Sequence, residues 1–351
     1  MSCYGGKMKK IFITIAVSVF LLSAAPGFNS KAEAKTWHFT YSIFFPASHD
    51  QYKAAEKWAK EVEKKTNNKV KITMFPGGTL TNAKNTYDGV VSGISDIGMS
   101  CFAYTRGKFP VMESADLPLG YQDGMVASKA VNEFYKKMKP EELNDVKVLY
   151  IHAHGPGLLH TSKKVETLED FSKLKIRSTG LSAKVVESLG GIPVAMPQGE
   201  TYESIKKGVV EGTFGPIEVL KGWRQAEVIK STTDTSNIGY TTAMYAVMNK
   251  KKWESLPEDI RKTIGKINEK AVLFHGKAWD KSDKAGKEYS LELGNSYVEL
   301  SDEQKALWKE KVRPVIQSYI DEVSSKGIDG EKVVKEIAGL IKKYSKKKQT
   351  K

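Results

Sequence analysis

From Trp37 to Phe44 (WHFTYSIF) aromatic and β-branched residues alternate with polar ones, which predicts a first strand. Phe44 to His49 (FFPASH) reads as a turn, with Ser48 or His49 placed to open a helix. That helix, Tyr52 to Lys65, sets Ala55, Trp58, Ala59 and Val62 on one stripe. Val70 to Phe75 is a second strand, stopped by Pro76-Gly77-Gly78. Asn82 to Ser92 is helical in pattern, and Asp96 to Ser100 is a third strand. Strand and helix in alternation predict a parallel sheet with helices on its faces.

Val146 to His152 is another strand, and the run to His160 reads as a passage into a second lobe. Thr167 to Phe171 fits a helix start, with Thr167 as cap and Asp170 three residues on. Lys173 to Ile176 forms a short strand that ends at Arg177. Leu181 to Leu189 is helical, Ile192 to Met196 is an apolar segment broken by Pro193, and Tyr202 to Val210 is helical again. Gly215 to Glu227 reads as a loop and helix, and Ala243 to Asn249 as a strand returning to the first lobe. A long helix runs from Ile260 to about Leu291, followed by a short strand, Tyr297 to Leu300. Ser301 caps a helix to about Ser324, and a small helix and a basic tail close the chain. The expected fold is α/β with two discontinuous lobes, a hinge and a cleft between them. Lobe I takes residues 35–155 plus about 241–282, and lobe II takes 156–240 plus about 283–340. The basic tail is 341–351.

The 351 residues suffice for two lobes and a sizeable core. The first 34 stand apart. Lys7, Lys9 and Lys10 precede an apolar run, Ile11 to Leu22, that is too short to span a bilayer comfortably. Ala32-Glu33-Ala34 is an A-x-A site, so the segment reads as a signal peptide cleaved after Ala34 and the product as exported. Cys3 leaves with it, and Cys101 has no partner for an intrachain disulfide. The net charge of +14 is mostly lysine on helices and in the tail, which reads as a solvated surface. Export makes nucleic acid a poor partner.

The chemistry centres on Arg177. An arginine at a strand end, beside a loop, is placed to hold a carboxylate through two parallel hydrogen bonds. No G-x-S-x-G elbow, H-E-x-x-H, P-loop or dinucleotide fingerprint occurs. His152, His154 and His160 cluster around a turn without a completing cysteine or carboxylate, so they suggest a polar wall near the hinge rather than a metal site. His154 and His160 are candidate donors to a ligand. No cofactor is expected. In a parallel sheet ligands sit beyond the carboxyl ends of the strands, and those loops carry Phe44, Phe45, Cys101, Phe102 and Tyr104, an aromatic and neutral set.

LKIRSTG (174–180), GGIPVAMPQGETYESIKKGVVEG (190–212) and EVIKSTTDT (227–235) resemble the signature region of the DctP-type solute-binding proteins of tripartite ATP-independent periplasmic (TRAP) transporters. The resemblance runs from about Trp37 to about residue 320. It implies a periplasmic-binding-protein-like fold that closes by a hinge, an integral-membrane permease as partner, and Arg177 as the residue that holds the ligand carboxylate. In the sialic-acid-binding members, charged or polar contacts lie where pairing the two sequences puts Cys101, Tyr104, Leu158 and Gly215. Their replacement by neutral or small residues points away from sugar acids and dicarboxylates. With Phe214 and Trp223 added to the aromatic set, the expected ligand is a monocarboxylate with an aromatic or apolar body. A monomer that is not an enzyme is the expected form. A sensor protein partnering a signalling receptor, or an exported metal-dependent enzyme, are the alternatives.

Overall fold

The structure, a computed structural model, describes residues 35–349, so the signal-peptide reading falls outside the described residues. Eleven strands are described. They are β1 (Trp37–Ile43), β2 (Val70–Phe75), β3 (Ile97–Cys101), β4 (Val146–Ala153), β5 (Gly157–Thr161) and β6 (Lys175–Ser178). β7 (Ile192–Ala195), β8 (Gly212–Pro216), β9 (Ser231–Asp234), β10 (Ala243–Asn249) and β11 (Ser296–Glu299) follow. They form two sheets, one with order β2-β1-β3-β10-β4 and one with order β11-β9-β5-β8-β6-β7. Each sheet with its helices is one lobe of an α/β fold.

In the first sheet β1 pairs in parallel with β2 and β3, as the alternation of strand and helix requires. β10 enters antiparallel between β3 and β4. The helix Asp50–Lys65 is capped by His49 and buries Ala55, Trp58, Ala59 and Val62, the stripe expected of it. The chain leaves this sheet after β4 and re-enters it at β10. The two strands are neighbours, so both crossings lie side by side and form a hinge.

The second sheet rests on strands whose sequences read as loops. β5, β8 and β9 are short, and β8 is Gly-Thr-Phe-Gly-Pro. They pair because every residue of β5 and β8 is buried and the ladder satisfies their backbone groups. The capping box at Thr167 forms as expected.

A 35-residue helix, Glu258–Glu292, ties the lobes together. At about 1.5 Å per residue it is about 52 Å long, enough to cross both. It packs on the first lobe through Ile260, Ile264, Ile267 and Trp279. Near its far end Gly286 lets it approach the second lobe, since a Cβ there would lie 2.3 Å from the Ile217 carbonyl oxygen.

The C-terminal region differs from expectation in two places. The helix predicted from Ser301 to Ser324 is two helices, Asp302–Val312 and Pro314–Ser324, because Pro314 starts a new one. The last helix, Gly330–Gln349, runs through the basic stretch assigned to a tail. Its apolar stripe, Val333, Ile337, Leu340 and Ile341, is buried in the same core as Val131 and Phe134 of the first lobe's helix Gly124–Met138. Lys343 and Tyr344 bond Glu133 of that helix, and Lys137 bonds Glu336. Residues 330–341 therefore pack with the first lobe, where the sequence reading put 283–340 in the second.

Candidate ligand cleft

β6 delivers Arg177. Its register places Arg177 opposite Val194 of β7 and Thr213 of β8, near the carboxyl end of the sheet. The side chain is 5% exposed. Its Nε donates to the Met196 carbonyl at 3.1 Å, which fixes the guanidinium plane and leaves the two terminal nitrogens to point elsewhere. Among the described residues no carboxylate lies within ion-pair distance of it. A buried guanidinium without a counter-ion is costly, so the site is built to receive an anion.

Arg177 lines a cavity between the lobes that holds about 410 Å³ between the lining atoms, mouth included. Two further lining groups are buried donors without acceptors among the described residues, Gln198 Nε2 and Trp223 Nε1. All three want the same partner, an acceptor-rich group such as a carboxylate.

The opposite wall is aromatic. Phe44 and Phe45 follow β1, and Phe44 lies parallel to Trp223 of the second lobe, with centroids 6.3 Å apart at 13°. Tyr104 meets Phe44 edge-on at 5.5 Å. Its hydroxyl accepts from the Gln198 backbone N–H at 3.2 Å, a hydrogen bond across the lobes. Phe214 stacks on Tyr240 at 4.7 Å. Rings packed in this way give the wall flat aromatic faces against which a planar ligand body can lie.

The titratable groups of the wall are held neutral. Burial pushes the Cys101 thiol and the Tyr104 phenol well above their usual ranges. Burial lowers His154 to about 4; the Gly155 carbonyl opposes this and the Arg177 charge reinforces it. At neutral pH Arg177 is thus the one basic lining side chain that carries a positive charge.

Nine of the eleven predicted site residues line the cavity: Arg177, Phe44, Phe45, Cys101, Tyr104, His154, Phe214, Gly215 and Trp223. Leu158 and His160 do not. Leu158 pairs with Gly215 across the strands, and its side chain enters the core beside Met196 and Ile217. His160 has both ring nitrogens engaged, with the Thr232 hydroxyl at 2.9 Å and the Gly215 carbonyl at 3.2 Å. A carbonyl only accepts, so Nε2 carries the proton and Nδ1 accepts from the hydroxyl. His160 holds β8 in place behind the wall instead of facing a ligand. Phe102 is likewise core, packed on Phe109 and Tyr245. The remaining clustered histidine, His152, stacks on His275 and accepts from the Trp279 indole.

The sequence reading missed Thr179, Gln198, Glu218, Tyr240, Thr242, Met244 and Trp279. Thr179 and Gln198 sit inside the motifs already singled out. Trp279 lies mid-helix and carries no local signal.

Two lobes, paired crossings and an interlobe cleft with unpartnered donors define a two-lobe ligand-binding protein. Residues 41–322 match the family described as bacterial extracellular solute-binding protein, family 7 (DctP), and the chain belongs to that family. It is 25% identical over 332 residues to the C4-dicarboxylate-binding periplasmic protein DctP of Vibrio cholerae, spanning 91% of this chain and 96% of that one. The TRAP solute-binding protein of Rhodoferax ferrireducens, solved with copurified benzoate, superposes with a TM-score of 0.84 at 27% identity, covering 89% of this chain and 99% of that one. A marine metagenome TRAP solute-binding protein specific for aromatic acid ligands, solved with 3-hydroxybenzoate, also gives 0.84, at 29% identity, covering 88% and 99%. These matches bear out the TRAP resemblance and the two-lobe α/β fold.

Proposed function

We propose that the protein captures a small monocarboxylate with an aromatic or apolar body in the periplasm and hands it to a membrane TRAP permease. The observation that carries this reading is Arg177, buried and unpaired in a cavity whose other lining bases are neutral. One cation serves one carboxylate. A dicarboxylate would bring a second charge with no basic partner in the lining, which sets this cleft apart from that expected of a C4-dicarboxylate binder. The benzoate and 3-hydroxybenzoate complexes of the two structural relatives support an aromatic body, and the aromatic faces of Phe44 and Trp223 suit one.

Binding follows from the geometry. The carboxylate docks on the terminal nitrogens of Arg177, with Gln198 as a further donor. The first lobe closes its aromatic wall over the ligand body by movement at the paired crossings. The ligand drives closure because only the closed form gives it both walls. Periplasmic location, a monomeric state and permease delivery belong to this reading.

Native mass spectrometry of residues 35–351, purified without refolding, tests it. The expected result is an added mass equal to a monocarboxylic acid. A retained dicarboxylate, or a flat thermal-shift response to benzoate and its derivatives, would count against it.

A further inference from the structure

Glu218 also lines the cavity, on the second-lobe side just beyond β8, and its residue is 2% exposed. Its Oε2 lies 2.9 Å from His49 Nε2, and His49 belongs to the first lobe. The tautomer of His49 follows from its outer partner. The Gln51 backbone N–H donates to His49 Nδ1 at 3.1 Å, so Nδ1 is the acceptor nitrogen and Nε2 carries the proton. His49 therefore donates to Glu218, and the bond needs no charge on the imidazole. Room for it is made at position 222, where a Cβ would lie 2.5 Å from Glu218 Oε2 and 2.7 Å from His49 Nε2. Phe45 and Trp223 both pack against the His49 ring. The backbone N–H of Glu218 is taken by Asp283 at 3.2 Å.

The second carboxylate oxygen has no such partner. Among the described residues nothing donates to Glu218 Oε1. Glu218 lines the cavity, so this carboxylate oxygen is open to a donor from a ligand, as Arg177 is to an acceptor. We propose that Glu218 is the second recognition group of the cleft, accepting a hydroxyl or N–H from the ligand body and repelling a second carboxylate. This rests on the reading of Arg177 as the carboxylate anchor and narrows it to a hydroxylated or N–H-bearing aromatic monocarboxylate. The preference has a repulsive part as well as an attractive one: a dicarboxylate would place a charge beside Glu218 in a site with little water to screen it. His49 is a positioning residue, since it orients Glu218 without reaching the ligand.

Calorimetric titration of benzoate, 3-hydroxybenzoate and isophthalate into the wild-type protein tests the proposal, with Glu218→Gln alongside. Wild type is expected to bind 3-hydroxybenzoate about tenfold or more tightly than benzoate, the range of a hydrogen bond to a charged acceptor. Isophthalate should bind more weakly than benzoate. In Glu218→Gln the amide oxygen keeps the bond from His49 and the NH₂ group faces the cavity. The hydroxyl preference should then fall to about one and the isophthalate penalty should shrink. A Glu218 that only latches the lobes would weaken all three ligands by one factor, and unchanged ratios in the variant would overturn the proposal. If the variant does not fold, Glu218→Asp keeps the charge and loses the reach. It should still refuse isophthalate but lose the hydroxyl preference, and a retained preference would overturn the proposal. The two readings fail differently. If wild type binds benzoate but treats the three acids alike, only the role of Glu218 falls. If it binds none of them, the aromatic reading falls and takes this inference with it.

Discussion

The first lobe meets the ligand space with Phe44, Phe45, Cys101 and Tyr104, which are aromatic or neutral, whereas the second lobe meets it with Arg177, Gln198 and Glu218. The contrast follows from how each wall is built. The first-lobe residues sit at the ends of strands in a largely parallel sheet, and none needs a charge partner to be buried. The second-lobe charges are held by fixed partners, Arg177 by the Met196 carbonyl and Glu218 by His49. A wall of rings loses little when it sheds water, so it can act as the moving lid. A wall of charges benefits from staying preorganised, because each reorientation would cost hydrogen bonds. On the proposed reading, closure of the neutral wall over the charged one would lower the local dielectric and strengthen the bond between Arg177 and a bound carboxylate.

Removing the charge should break this division most severely. Arg177→Ala is expected to lose about 3–5 kcal/mol of affinity for an aromatic acid, the range for a severed buried ion pair. Arg177→Lys should recover only part of it, since lysine lacks the planar fork. Affinity within threefold of wild type in the alanine variant would remove Arg177 from its role.

Acid should act next, and on the neutral groups. Burial lowers His154 and His160 to about 4, so the unfolded chain takes up their protons first as pH falls below about 6.5. The stability these histidines confer is intact above that pH and is lost progressively down to about 4. By pH 5 the loss should reach about 2 kcal/mol for each histidine. Urea unfolding of the wild type and of His160→Phe at a series of pH values measures it for His160, since the difference cancels the opposite pull of the buried acids Glu142, Asp116 and Asp283, and the same pH dependence in both proteins would contradict the burial of that ring.

Substitutions behind and within the walls should then separate scaffold from contact. His160→Phe leaves the Thr232 hydroxyl and the Gly215 carbonyl unmet, which should cost about 1–3 kcal/mol of stability. Trp223→Ala should weaken aromatic acids by about 1 kcal/mol through lost stacking and leave an aliphatic acid nearly unaffected. Titration of benzoate and a short aliphatic acid into that variant distinguishes a ligand contact from a core residue.

How far the sequence carried differs between the same two regions. The first lobe was legible nearly throughout, because period-two strands and an apolar helical stripe announce a sheet with a face to cover. Its strand-end aromatics follow from topology alone. In the second lobe β5, β8 and β9 were invisible as strands, since Gly-Thr-Phe-Gly-Pro and Ser-Thr-Thr-Asp carry turn-like or polar composition and pair only because their neighbours enclose them. The same concealment misplaced His160. Its position on β5 turns it toward Thr232 and the strand behind, which no local pattern encodes. Glu218 and Trp279 come from segments far apart in the chain, and only the closed tertiary structure puts them beside Arg177. The charge most open to prediction was the one embedded in a dense motif.

The central claim is that a buried guanidinium without a protein counter-ion selects a carboxylate. Benzoate and benzamide share size and ring but differ in charge, so titrating both into the wild-type protein isolates that term. The account predicts that benzoate binds at least about a hundredfold more tightly than benzamide, as expected when the amide leaves a buried charge unmet. Equal affinity for the acid and the amide would contradict it.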